Sequence, residues 1–340
     1  MSLSHDRGVV TPALPLLRSV DAAQEKVIAG WLRIVFFTSI LFNHTFDVPL
    51  EFVDGRNGIA WVMLLRDFGT AGFFLLAGAS LKGKLLERGQ VRLPSNLLKL
   101  TIAAAALAAF EIGFTIAKGG TPRPVTEHFY AALYDTNLWF FVAYVFAGPL
   151  LISLDRRGVW LTAACCLLFV AFPARYPLLS PYILQTISLA FIWMAIGAAL
   201  HGYRGKIGVA LAVAAATCAA RLLIDDGGSP GYPALDVVLR IVYGTACFLL
   251  LKSLADRVCR QARSPGWSNN LFVPYIIQFP LILVAKVVFT AVFLGTLDVR
   301  MPPIFASFTG AVLFMTGLFL STLAASFVLA SLLRRYNIRV

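Results

Sequence analysis

Residues 27–46 read VIAGWLRIVFFTSILFNHTF, with Arg33 and His44 as the ionisable side chains and no acidic group among them. At about 1.5 Å per residue a helix of this length covers the ~30 Å hydrocarbon core of a bilayer. The run lacks a small-residue cleavage site of the secretory type, so it reads as a retained helix. Working outward, apolar runs of similar kind lie at 59–81, 97–117, 138–154, 159–173, 182–200, 207–224, 235–254, 271–294 and 304–333. The fifth run is short and ends at Pro173. The tenth is long enough to tilt, or to begin with an interfacial turn near Pro302 and Pro303. The predicted fold class is therefore all-α, a polytopic integral membrane protein of about ten transmembrane helices.

Composition points the same way. Of 340 residues, 59% are apolar and 14% charged, against about 25% charged in soluble domains. The net charge of +12 would suit a polyanion, but the basic residues sit in short loops between apolar runs and form no continuous face, which argues against nucleic acid as a partner. Counting Lys and Arg on alternate sides gives 17 against 5. The positive-inside rule then puts both termini in the cytoplasm. No internal repeat or long linker divides the chain. The expected organisation is a cytoplasmic tail over 1–26, one membrane domain over 27–333 and a second tail over 334–340.

Cys165, Cys166, Cys218 and Cys247 lie inside apolar runs and Cys259 in a basic loop, so free thiols are expected. His5, His44, His128 and His201 are far apart, and no Cys/His spacing suggests a metal site.

Ionisable groups within a span cost several kcal/mol unless they face a cavity or a partner, so each is a candidate for function. Arg33 and His44 are eleven residues apart, three turns plus about 20°, and so project from one helix face about 16 Å apart. Asp47, three residues beyond His44, is placed to orient its imidazole and leave the other nitrogen as a base. An interfacial histidine beside an exposed aspartate has the same pattern. Asp67 opens the second span at the level of His44 and is a second orienting candidate. Gly69, Gly72, Ala77 and Gly78 follow it, a spacing that lets another helix backbone approach closely.

Elsewhere the signals are weaker. Glu111 sits deep in the third span, where its carboxylate needs a proton or a partner. Arg221, Arg240 and Lys286 have the positions of snorkelling cations, and Asp236 with Arg240 is an ordinary i,i+4 pair. His201 reads as interfacial, while His5 and His128 lie in polar segments and carry no signal.

Taken together these residues resemble the acyltransferase 3 family, membrane-bound O-acyltransferases of bacterial glycans. The resemblance rests on Arg33 and His44, spaced as an Arg-x10-His pair, and on Gly72-Phe73-Phe74-Leu75-Leu76-Ala77-Gly78. It extends to Arg92-Leu93-Pro94, Leu138-Trp139-Phe140-Phe141 and Tyr275-Ile276-Ile277-Gln278-Phe279-Pro280. Three positions depart from the family pattern: Ala77 stands where serine is usual, and Asn137 and Gln278 where histidine is common.

The resemblance implies transfer of an acyl group, acetyl in the first instance, from cytoplasmic acyl-CoA to a hydroxyl of a glycan or exopolysaccharide outside the bacterial inner membrane. It also implies Trp139 at the cofactor site. His44 would be the base, with Asp47 and Asp67 as its partners. Arg33 has no acidic residue within four positions on its helix and suits the phosphates of acetyl-CoA or another acyl-CoA, because a guanidinium binds them through a planar fork of donors. The rivals are a glycan or lipid transporter, with Arg33, Glu111 and Arg240 along its path, and a noncatalytic subunit of a polysaccharide synthesis complex.

Overall fold

The structure, a computed structural model, describes residues 22–53, 55–88, 94–117, 119–134, 138–172, 182–224, 233–259, 263, 265–294 and 308–336. The side chains of Asp47 and Lys286, and Arg92, Asn137, Pro302 and Pro303, lie outside the described residues. Among those described there is no strand. The helices are α1 (Ala22–Val53), α2 (Gly55–Arg88), α3 (Pro94–Ala117), α4 (Val125–Tyr134), α5 (Trp139–Ser153), α6 (Arg156–Ala171), α7 (Tyr182–Ala199), α8 (Ile207–Ile224), α9 (Pro233–Val258), α10 (Phe272–Leu294) and α11 (Phe308–Arg335). A 3-10 turn, Gly266–Asn270, leads into α10.

Among the described residues five helical stretches are long and apolar enough to cross a membrane: Ala23–Phe46, Leu100–Ala117, Ile207–Ile224, Ala234–Val258 and Val312–Arg335. Trp139–Ser153, Leu184–Ala199 and Val273–Ala285 are shorter apolar helices. The outer faces are apolar as well as the interior. Leu98, Leu161, Leu223 and Leu313 on α3, α6, α8 and α11 are 64%, 68%, 77% and 68% exposed. Leucines bared on four separate helices suit a lipid surround, where they cost nothing, and not water.

The centre of the bundle is α1 with α2. Helix α1 packs on α2, α9, α10, α11 and the 3-10 turn, and α2 packs also on α5, α7 and α9. Glycines explain how α2 and α7 come so close. A Cβ on Gly78 would lie 2.0 Å from the Met194 carbonyl oxygen, and one on Gly197 would lie 2.0 Å from that of Leu75. On α2's other side, a Cβ on Gly72 would sit 2.2 Å from the Phe36 ring. The glycines of the second span are thus used for helix packing, with backbone on one side and an aromatic ring on the other.

Aromatic rings fill the space this packing encloses. Phe36 meets Phe68 and Phe73 with centroids at 5.5 and 5.9 Å, and Phe74 lies between Phe140 at 4.4 Å and Trp193 at 6.2 Å. These are the offset and edge geometries that aromatic pairs prefer.

The fourth predicted run is preceded by an element too short to register as a span. Helix α4 doubles back along α3, with His128 opposite Glu111 at 3.0 Å. Ala132 and Leu138 are buried with Ala104, Leu107 and Ala108, further down α3. Helix α5 therefore starts beside the middle of α3 instead of at its end. Helix α10 also begins in the interior, because Tyr275, in its first turn, lies 6.3 Å from Phe73 and 5.4 Å from Phe141.

Candidate functional site

Helix α1 carries Arg33 and His44 without a break between them, which corresponds to a rise of about 16 Å along its axis. Arg33 is half-buried on α1. His44 is half-buried between the buried Asn43 and Thr45, whose hydroxyl donates to the Leu41 carbonyl at 2.8 Å. Phe42 and Phe46 stack at 4.2 Å, and both meet Phe319 of α11. They brace the turn from which His44 projects.

Asp67 is held by two guanidinium groups. Its Oδ2 lies 2.7 Å from Arg221 Nη1 and 3.6 Å from Arg240 Nε. Asp236 completes the group, accepting from Arg221 Nε at 3.2 Å and lying 2.9 Å from Arg240 Nε. Two acids and two bases from α2, α8 and α9 thus form a neutral quartet, within which the Asp67 and Arg221 side chains are only 7% and 8% exposed. The expectation that Arg221 and Arg240 snorkel is replaced by this pairing. The i,i+4 contact of Asp236 with Arg240 is present, as one edge of a larger figure.

At the opposite end of α9 a second polar clasp gathers the start of α1. Arg204 donates to Glu25 at 2.5 Å and lies 3.5 Å from Asp256. Lys252, 2% exposed, reaches Glu25 at 3.6 Å and donates to the Leu200 carbonyl at 3.1 Å, satisfying a carbonyl at the C-terminal end of α7. Ser253 donates to the Gly205 carbonyl at 3.0 Å. His201 sits at the rim, where burial holds its imidazole below the ordinary range; Glu25 opposes this and Lys252 reinforces it.

Glu111 and His128 form a third polar contact. The Arg123 amide donates to His128 Nε2 at 3.1 Å, which leaves Nδ1–H to donate to Glu111 Oε2 at 3.0 Å. With both ring nitrogens engaged, His128 fastens α4 to α3. Sequence reading gave His128 no role, because a partner seventeen residues away on a returning helix leaves no local pattern. Lys252 went unremarked for a similar reason, since its partners lie on α1 and at the end of α7.

Trp139 opens α5 with its ring 6.2 Å from Phe74 and 6.3 Å from Phe140, as part of the aromatic packing between α2, α5 and α7. Gln278 of α10 is completely buried, and neither its amide nitrogen nor its amide oxygen has a hydrogen-bond partner among the described residues. The five cysteines are free. No family model matches the chain, and neither a curated protein nor a solved structure matches it.

Proposed function

We propose that the protein is a membrane O-acyltransferase that moves an acyl group, acetyl in the first instance, from cytoplasmic acyl-CoA to a glycan hydroxyl on the far side of the inner membrane. One observation carries the reading: Arg33 and His44 stand on one face of an unbroken helix at the centre of the bundle. A fixed cation and a fixed imidazole about 16 Å apart suit a long anionic donor, phosphates at one end and thioester at the other. In the transfer itself the glycan oxygen forms the new bond to the acyl carbon as the C–S bond breaks. His44 takes the hydroxyl proton and returns it to the departing thiolate. Asp67 is already engaged by two guanidinium groups, so the orienting role falls to Asp47.

The topology that goes with this reading has ten spans, α1 to α3 and α5 to α11, with α4 dipping back without crossing. Both termini are then cytoplasmic, the Glu25 clasp lies at the inner boundary and the Asp67 quartet at the outer. Helix α9 supplies a ruler: Asp236 and Asp256, one in each clasp, are twenty residues or about 30 Å apart, matching the hydrocarbon thickness. A reporter fused at residue 340 is expected to work only if it matures in the cytoplasm. Activity of a periplasm-only reporter there would overturn the orientation.

The transporter reading needs Glu111 and Arg240 along a path, but these are engaged by His128 and by Asp236 with Asp67, in separate parts of the bundle. The donor supplies the functional test. Saturating CoA or acetyl-CoA is expected to raise the melting temperature of the purified protein, since a ligand bound only by the folded state stabilises it by mass action. An unchanged melting temperature at millimolar CoA would count against the acyl-donor reading.

A further inference from the structure

Helix α4 fastens to α3 by one face and lines a cavity with another. His128 and Ala132, four residues apart, turn inward to Glu111 and to the apolar side of α3. Glu127, Tyr130 and Ala131 share a second face by their i, i+3, i+4 spacing. Together with Arg123 and Thr126 they line an open cavity of about 270 Å³. At roughly 30 Å³ for each water in the liquid, this is the room of about nine waters, enough for one hexose ring and its hydroxyls.

The rim of the cavity is tied down by its own backbone. Pro122 and Pro124 flank Arg123, and each ring fixes its own φ. The Arg123 amide donates to His128 Nε2 at 3.1 Å, and the amides of Glu127 and His128 both donate to the Pro124 carbonyl, at 2.9 and 3.3 Å. Gly119, with φ at 74°, and Gly120, whose amide donates to the Thr115 carbonyl at 2.9 Å, turn the chain out of α3 into this segment. A rim held in this way loses little freedom when a ligand arrives.

The lining selects the class of ligand. It holds one guanidinium and one carboxylate, both on exposed residues. A simple anion would be repelled by Glu127 and a simple cation by Arg123, whereas a neutral polyol needs acceptors and donors together. The carboxylate only accepts, the guanidinium only donates, and the Thr126 hydroxyl does both. Tyr130, 59% exposed, adds a ring that is apolar on its face and polar at its tip. A pyranose is its counterpart, with C–H groups on one face and hydroxyls around the edge.

We infer that this cavity is a subsite for one sugar unit of the acceptor glycan, with Tyr130 under the ring, Glu127 accepting from its hydroxyls and Arg123 donating to them. The inference rests on the O-acyltransferase reading for its sidedness. With both termini cytoplasmic, α3 ends on the far side of the membrane, and α4 follows it on the side where the glycan lies. Helix α4 then takes hold of the acceptor, while Arg33 holds the donor and His44 moves the proton.

The test titrates extracellular polysaccharide from the native cells, stripped of its esters with mild alkali, into the purified full-length protein in a calorimeter. Tyr130→Ala is expected to weaken binding about tenfold and Glu127→Gln about fivefold, while Tyr130→Phe, which keeps the ring, stays within about twofold of wild type. Because both residues are exposed, the melting temperatures of the variants, and their rise with CoA, are expected to match wild type. Equal polysaccharide affinity in wild type, Tyr130→Ala and Glu127→Gln would overturn the subsite and leave α4 as an interfacial helix facing lipid headgroups. So would wild-type protein that binds no polysaccharide. Binding that weakens as expected in the variants, in a protein whose melting temperature does not respond to CoA, would uphold the sugar subsite and sink the acyl-donor reading, which keeps the two failures apart.

Discussion

His44→Ala is expected to reduce acyl transfer by 10²- to 10⁴-fold, the range for loss of a positioned general base, with expression and membrane insertion near wild type. The imidazole is half-buried, and the adjoining turn is held by Phe42, Phe46 and Phe319 without it. Removing the ring should therefore leave helix packing in place and the hydroxyl nucleophile without a proton acceptor. The measurement is acyl content of the glycan made by cells carrying the variant, alongside the protein's abundance in the membrane. Wild-type acylation by His44→Ala would remove the base from the mechanism. Asp47→Asn is expected to lower the rate by less, because an orienting partner acts through the imidazole and does not itself carry the proton.

Arg221→Ala is expected to be the most destabilising single change at this end of α2, α8 and α9. It leaves Asp67 and Asp236 facing one remaining guanidinium, and breaking a buried ion pair from one side costs about 3–5 kcal/mol. Three helices would lose their common fastening, since Arg221 is on α8, Asp67 on α2 and Asp236 on α9. The expected reading is a clear fall in the temperature of half-inactivation in detergent. Pairing Arg221→Met with Asp67→Asn should recover part of the loss, because the quartet's charge is again balanced. A melting temperature for Arg221→Ala equal to wild type would mean that the quartet is dispensable.

How much of this was legible beforehand depended on the range of each signal. Apolar runs announced the helices, because a span must be apolar along its own length. The bounds agree for α10, Phe272–Leu294 against an expected 271–294, and for α5, Trp139–Ser153 against 138–154, whereas α1, Ala22–Val53, and α2, Gly55–Arg88, overrun the expected 27–46 and 59–81 at both ends. Gly72 and Gly78 announced close packing, though not that Phe36 and α7 would be the neighbours. Helix α4 was missed because its ten residues, though mostly apolar, are too few to span a bilayer and so passed for a loop between runs. The quartet was invisible as a unit, since only Asp236 and Arg240 are near in sequence. Asp67 was read as a second partner for the His44 imidazole, because no local pattern could say that two arginines from α8 and α9 would claim it. Gln278 stood out only as a departure from a histidine pattern, and its unpartnered amide is a property of the packed bundle alone.

The central claim, that Arg33 anchors the donor while His44 acts on it, separates cleanly in calorimetry with CoA on the purified protein and two variants. His44→Ala is expected to bind CoA with wild-type affinity. Arg33→Ala is expected to bind far more weakly, with Arg33→Lys between them because it keeps the charge and loses the planar fork of donors. Equal affinity in wild type and Arg33→Ala would contradict the account, making Arg33 a packing residue and moving the donor's entrance elsewhere.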